Sequence, residues 1–225
     1  MKKKTIGLLL VLLNMTLCVV AQNNTACEEL KGKRIGVIGD SYVRNHKQPQ
    51  EYTWHYKFAK KYGMEYFNYG RNGNCIAYNH KRFGTGIYER YTTMSDSLDY
   101  VVVIGGHNDA GMLDSIGGID VFKEKMSILC EGLVTKYPTA KIFFFTRWIC
   151  DDFAGSNSEK VVDAMIEVCG NYSIPIFDAA RKSGVFANVE AFRRLYFQSK
   201  ADTAHLNDAG HDRFLKVAED FIIRY

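Results

Sequence analysis

A chain of 225 residues with 47% apolar and 13% aromatic content is long enough to bury one sizeable core, and 24% charged residues with only three prolines exclude a disordered or fibrous polypeptide. The formal charge of +4 owes three of its positive groups to Lys2, Lys3 and Lys4, and the remainder of the chain is close to neutral with no basic run. Nucleic acid and anionic membrane surfaces are therefore poor partners for it.

Those lysines precede an apolar run from Ile6 to Leu13, and Val19-Val20-Ala21 supplies small residues of the kind a signal peptidase reads. The run is short for a bilayer span and no stop-transfer pattern comes after it. Residues 1–21 are therefore expected to be a cleaved signal peptide and the mature protein to be secreted or periplasmic, without stable membrane insertion. Lipoprotein processing at Cys18 fits less well, because bulky Leu17 precedes it. Residues 22–33 read as an N-terminal segment and residues 34–225 as one domain, since no repeat, low-complexity tract or linker divides them. Cys27, Cys75, Cys130, Cys150 and Cys169 remain after cleavage, an odd number with neither a Cys-x-x-Cys pair nor zinc-type spacing. Cys130 and Cys169 fall on apolar helical faces, as buried inert thiols do.

Short runs rich in Val, Ile, Phe and Tyr predict five buried strands, at Arg34 to Ile38, Met64 to Tyr69, Tyr100 to Ile104, Lys141 to Thr146 and Ile174 to Phe177. Between them, apolar residues recur every three or four positions. Thr53 to Lys61 reads as one helix. Phe122, Met126, Leu129, Cys130 and Leu133 mark a face of the next, Val161, Met165, Val168 and Cys169 another, and Phe214, Val217, Ala218, Phe221 and Ile222 the last. Strands alternating with helices predict right-handed crossovers, and so an α/β fold with a parallel sheet between two helical layers. In such a sheet ligands gather beyond the carboxyl ends of the strands. The polar and glycine-rich stretches all come directly after predicted strands: Ser41 the first, Gly70 to Gly73 the second, Gly105 to Asp109 the third, Arg147-Trp148 the fourth.

Four of these pieces carry chemistry, and each also has a plainer reading. Ser41, in Gly39-Asp40-Ser41, is either a nucleophile at a strand-to-helix turn or, with Asp40, an N-cap; the two are compatible. Gly73 lets a backbone N–H approach an oxyanion unobstructed, although Gly-Asn clusters also simply close turns. Asn108 offers a neutral amide donor to the same oxyanion, with Asp109 expected to cap the following turn. Asp202 and His205, three apart in a loop, can form an oriented imidazole base, or belong to a solvated loop capped by Asn207 or Asp208. His211 reads as packing or surface.

Taken in order, Gly-Asp-Ser, Asn-x-Gly-x-x-Gly, Gly-x-Asn-Asp and Asp-x-x-His-Leu-Asn resemble the SGNH (GDSL-type) hydrolases from about Arg34 to the C-terminus. The resemblance implies a flavodoxin-like three-layer α/β/α sandwich with a five-stranded parallel sheet. It also implies a catalytic set of Ser41, His205 and Asp202, an oxyanion hole of Ser41, Gly73 and Asn108, and neither metal nor organic cofactor. Tyr42 stands where that family often has leucine, and His107 where it has a smaller residue; both bear on substrate class rather than on the chemistry.

The family's substrates include short-chain esters, lysophospholipids, thioesters and acetylated polysaccharides. Export, together with Trp54, Tyr78, Arg82, Tyr88, Arg90, Tyr91, Arg147 and Trp148 as a wet aromatic rim, points to a carbohydrate O-acetyl esterase acting on a small or polymeric ester. Arg147, Trp148 and His107 are the expected substrate-binding residues, and Tyr78 to Thr93 a lid or substrate loop. Ordinary edge packing of Arg147 and Trp148 is the alternative at those positions. The competing functions are a lipid-directed esterase or lysophospholipase, and a non-catalytic glycan-binding protein on the same scaffold.

Overall fold

A computed structural model describes residues 28–150 and 152–225. The expected signal peptide at residues 1–21, the first half of the segment 22–33, and Cys18 and Cys27 lie outside the described residues.

Five parallel strands form one sheet: β1 (Arg34–Gly39), β2 (Glu65–Gly70), β3 (Tyr100–Ile104), β4 (Lys141–Phe145) and β5 (Ile176–Phe177), in the order β2-β1-β3-β4-β5. The parallel sheet is the one expected from the alternation of patterns, and its order is the flavodoxin-like one that the family resemblance implies. The chain leaves β1 toward β2 on one side and returns to β3 on the other, so the end of β1 is the topological switch point. The register aligns the carboxyl ends, with Gly39 opposite both Gly70 and Ile104, and Ile104 opposite Phe145.

Both sheet faces are dry because the central strands are apolar at nearly every position, with alternate residues serving opposite cores. Val37, Val102, Phe143 and Phe145 point into one, with Phe58 of α2 (Trp54–Lys61) and Phe214, Ala218 and Ile222 of α9 (Asp208–Arg224). Ile38, Val101, Val103 and Phe144 point into the other, with Phe122, Met126 and Leu129 of α5 (Ile119–Lys136) and Met165 and Val168 of α6 (Asn157–Asn171). Each of the larger side chains among these stabilises the fold by about 1.5 to 3 kcal/mol. Cys130 and Cys169 are buried between α5 and α6, as their helical faces predict.

The elements are punctuated by side-chain caps. Ser156 accepts from Ser158 and Glu159 N–H to start α6, and Asn207 accepts from Gly210 N–H to start α9, each worth about 1 kcal/mol. Further helices among the described residues are α1 (Ser41–Arg44), α3 (Ile87–Arg90), α4 (His107–Ile116), α7 (Ala179–Lys182) and α8 (Glu190–Tyr196).

Three expectations are corrected. β2 is an edge strand, half-exposed along its length, rather than a buried one. β5 is two residues long, because the Ile174 N–H is bonded to the Cys169 carbonyl at the end of α6 and cannot join the ladder. The Gly105 to Asp109 stretch opens a ten-residue helix, α4, instead of a turn; only Ala110, Leu113 and Ile116 mark its buried face, too sparse a pattern to stand out.

Candidate active site

The nucleophile candidate sits where β1 ends. A side chain on Gly39 would stand 2.3 Å from the Ile104 carbonyl oxygen, so only glycine lets β1 and β3 close up at that point. Asp40 then leaves the strand, and its Oδ1 accepts the Tyr42 N–H at 2.8 Å, capping α1. Ser41 is thereby the first helical residue, buried apart from a small accessible remainder.

The base candidate arrives from the far end of the sequence. The Phe197–Leu206 bridge and the Gln198 N–H to His205 carbonyl bond (2.9 Å) pin the loop between α8 and α9. His205 Nε2 lies 2.9 Å from Ser41 Oγ, and His205 Nδ1 lies 2.9 Å from Asp202 Oδ2. Asp202 Oδ1 also accepts the backbone N–H of Ala204 (2.8 Å) and of His205 (2.9 Å). Burial pushes the Asp202 carboxyl upward, but the imidazole hydrogen bond, these two N–H groups and the charge of His205 outweigh it and hold the group at about 2. An ionised Asp202 makes Nδ1 the protonated nitrogen, which leaves the Nε2 lone pair facing the serine hydroxyl.

The amide side is built from two loops braced against each other. Gly73 has φ +72°, and a Cβ there would stand 2.6 Å from the Phe83 ring, so the position requires glycine twice over. Asn108 Nδ2 donates to the Asn74 carbonyl at 2.9 Å and to Asp40 Oδ2 at 3.2 Å, which ties the head of α4 to the serine turn. Asp109 does not cap its own turn as expected; its carboxylate accepts the Ile76 and Ala77 N–H groups, both at 2.9 Å, and so anchors the chain just past Gly73. Burial raises Asp40 to about 7, with the charge of Asp109 adding to it, and raises Asp109 to about 6 against the pull of those two N–H groups.

The expected aromatic rim is largely withdrawn from solvent. Trp54 (3% exposed) packs between Phe145 and Phe214, and Trp148 (3%) meets Tyr42 edge to face at 4.3 Å. Arg147 (2%) donates to Ser158 Oγ at 2.6 Å and contacts the Cys150 thiol. At a strand end or a helix start that faces the core, an indole gains more from burial than from water, and Arg147 is buried together with acceptors for its guanidinium. Trp54, Trp148, Arg147 and Arg90 are thus not a wet surface. His107 is half-buried, with Nδ1 3.4 Å from Tyr42 Oη; Tyr78, Tyr88 and Tyr91 are half-buried and Arg82 is exposed. In the 78–93 stretch, Ile87 and Arg90 are buried, and the Ile87 and Tyr88 N–H groups bond to the Cys75 and Ile76 carbonyls. That half of the stretch is fastened to the chain at Cys75 and Ile76.

His46 was not visible as a site residue in the sequence. Its ring stacks on His205 with centroids 4.2 Å apart and planes 11° from parallel. Asn45 (φ 68°) and His46 (φ 46°) both adopt the left-handed conformation, held by His211 Nε2 and Gln198 Nε2 on the Asn45 side chain and by Asn45 Nδ2 on the Pro49 carbonyl. Burial, reinforced by the charges of His205 and Lys47, lowers His46 from its ordinary value. In one dimension Asn45-His46 reads only as a helix end, and no periodicity connects it to a residue as distant along the chain as His205. Among the described residues no group of three His, Cys, Asp or Glu side chains is arranged to hold a metal ion, and no helix is long and apolar enough to cross a membrane.

Residues 37–213 match the model of the GDSL-like lipase/acylhydrolase family. No curated protein matches the chain in sequence. Similar solved structures include a protein from Lactobacillus plantarum, 22% identical, with TM-score 0.73 over 87% of this chain and 98% of that one. The psychrotrophic esterase EstA from Pseudoalteromonas sp., solved inhibited by monoethylphosphonate, is 14% identical, with TM-score 0.64 over 85% and 97%. A carbohydrate esterase family 2 enzyme with a carbohydrate-binding domain, from Corynascus thermopiles, is 16% identical, with TM-score 0.62 over 85% of this chain and 65% of that one. At these identities the likeness is one of fold.

Proposed function

The chain belongs to the GDSL-like lipase/acylhydrolase family, and from that premise we propose that it is an exported carboxylic ester hydrolase that removes O-acetyl groups from carbohydrate. Ser41 is the nucleophile, His205 the general base and then acid, and Asp202 the orienting carboxylate. The observation that carries this reading is the unbroken line from Asp202 Oδ2 through both nitrogens of His205 to Ser41 Oγ, with both contacts 2.9 Å.

In this mechanism the Ser41 hydroxyl gives its proton to His205 Nε2 as Oγ attacks the ester carbonyl. The imidazolium, held by Asp202, returns the proton to the departing sugar hydroxyl. Water then repeats the sequence on the acetyl-serine, releasing acetate. Negative charge on the former carbonyl oxygen is received by the backbone N–H groups of Ser41 and Gly73 and by the Asn108 amide. The longer of the two Asn108 contacts, to Asp40 at 3.2 Å, is the one the oxyanion displaces. Burial favours the neutral form of Asp40, which reduces the repulsion between its carboxyl and that charge.

Two features support a small acyl group and a polar alcohol. Tyr42 and Trp148, packed edge to face beside the nucleophile, occupy apolar volume that a long acyl chain would need. His46, His107 and the exposed Arg82 give the rim hydrogen-bonding character. A lipid-directed reading is favoured instead by Phe186, Val189 and Leu195, more than half exposed on the stretch that leads to the His205 loop. A series of p-nitrophenyl esters from acetyl to dodecanoyl, run beside acetylated oligosaccharides, separates the two. The acetylesterase loses activity sharply beyond propionyl and releases acetate from sugar; rates that climb with chain length contradict it. Export rests on residues 1–21, and a secreted product beginning at Gln22 is the expected N-terminus.

A further inference from the structure

Arg90, at the end of α3, is 8% exposed and sits beneath the loops that carry the proposed oxyanion hole. Its Nη1 donates to the Tyr69 carbonyl at 2.6 Å, its Nη2 to the Gly39 carbonyl at 3.0 Å and its Nε to Asn74 Oδ1 at 3.0 Å. Gly39 lies two residues before Ser41, Tyr69 lies near the end of β2 just before the Gly70 to Gly73 loop, and Asn74 comes directly after Gly73. The Asn74 carbonyl accepts the Asn108 amide at 2.9 Å, and its own side-chain amide donates to the Thr85 carbonyl at 2.8 Å. Two hydrogen bonds through one residue therefore connect the guanidinium to the Asn108 amide, and one cation braces all three stretches expected to supply oxyanion donors.

These three acceptors are neutral, and that is costly. A buried cation without a bonded carboxylate has given up its hydration for neutral acceptors and the more distant Asp40 carboxyl, and an apolar side chain of similar volume would fill the space with less penalty. Burial, with the charge of Arg71 adding to it, lowers the guanidinium only to about 10, so the charge persists at neutral pH. A fixed positive charge under the site where an oxyanion develops is preorganised stabilisation of the transition state rather than of the resting ester.

We infer that Arg90 is the positioning residue of the oxyanion hole, holding Gly73 and Asn74 in place, setting the Asn108 amide through the Asn74 carbonyl, and supplying positive potential beneath the developing charge. This rests on the esterase reading above. The test uses Arg90→Lys, Arg90→Met and Asn74→Ala in the mature protein, with active serines counted by a p-nitrophenyl phosphonate. Turnover of p-nitrophenyl acetate is then expressed per titrated site.

Arg90→Lys keeps the charge but loses the fork, and is expected to lower kcat per active site about tenfold or more with KM within about twofold. The rate of phosphonylation falls in parallel, because that reaction also places negative charge in the hole. In the Asn74→Ala background the same substitution costs clearly less than in the wild type, since the link to the Asn108 amide is already cut and only the bonds to the Tyr69 and Gly39 carbonyls remain to be lost. Loss confined to the fraction of titratable sites, with kcat per site unchanged, would mean that Arg90 only supports folding and would overturn the inference. Additive effects of Arg90→Lys and Asn74→Ala would do the same. If Arg90→Met does not fold, the other two variants decide. A wild-type protein that neither labels nor turns over would bring down the esterase reading itself, an outcome distinct from unchanged turnover in the variants.

Discussion

Replacing Asp202 by Asn separates two jobs that one carboxylate performs. Oδ1 accepts the N–H groups of Ala204 and His205, whereas Oδ2 faces His205 Nδ1. Asparagine can keep its single carbonyl oxygen on the two backbone donors, so the loop persists, but its NH2 then faces Nδ1. The ring must accept there and carry its proton on Nε2, so that Ser41 meets a donor where it needs a base. Against burial, the hydrogen bond to His205 and the two backbone N–H groups, with the charge of His205 last, hold the carboxyl down at about 2, and the variant loses the part that comes from His205. The wrong tautomer compounds this, and kcat for p-nitrophenyl acetate is expected to drop by about 10³ to 10⁴ with KM nearly unchanged. Stability provides an independent arm. A carboxyl whose folded value is depressed stabilises the fold above its ordinary value, and that contribution is lost as pH falls through about 2. The difference in urea-derived stability between wild type and Asp202→Asn should therefore be largest near neutral pH and shrink steadily between about pH 4 and pH 2. A variant within tenfold of wild-type kcat, or a pH-independent stability difference, would refute the reasoning.

Gly73→Ala places a Cβ against the Phe83 ring at φ +72°, and is expected to cost about 1 to 2 kcal/mol of stability from the backbone alone and to reduce kcat; an unaltered melting curve would contradict it. His46→Ala removes the stacked partner of His205 and should lower kcat up to about tenfold, whereas His46→Phe retains most of the rate; equal kinetics for the two variants would show that the stack does not matter. His211 is buried, and burial, with the charges of His55 and Lys57 adding to it, holds it neutral far below its ordinary value. The unfolded chain takes up that proton first, so stability is lost as pH falls below about 6.5, and His211→Asn should flatten that loss between pH 6.5 and pH 5. Identical slopes of stability against pH would dismiss this.

The parts of the molecule readable from sequence are those written in local periodicity or in special backbone. Tyr100–Ile104 is apolar at every position because both faces are covered, and that run sets its bounds. The glycines at 39 and 73 answer steric demands that no other residue meets, and they flag the loops around the site. Burial of particular polar side chains was not legible. Arg90 and Arg147 look like surface residues in one dimension, yet each lies among carbonyl or hydroxyl acceptors contributed by distant segments. Trp54 and Trp148 mislead in the same way, since an indole at a strand end or helix start suits either a sugar platform or a core, and here the Phe145 and Phe214 rings complete the core. Asp109 and His46 depend on which loops meet in space, at Ile76–Ala77 and at His205, which no pattern within their own elements encodes.

The most direct test is to treat the purified mature protein with a serine-reactive phosphonate and locate the adduct by peptide mass spectrometry, alongside His205→Ala. One equivalent on Ser41, formed at least about a hundredfold more slowly in the variant and abolishing esterase turnover in step with labelling, is the expected result. Esterase turnover that persists with Ser41 fully modified, or labelling of Ser41 at the same rate without His205, would contradict the assignment of the hydroxyl and the imidazole to one reacting pair.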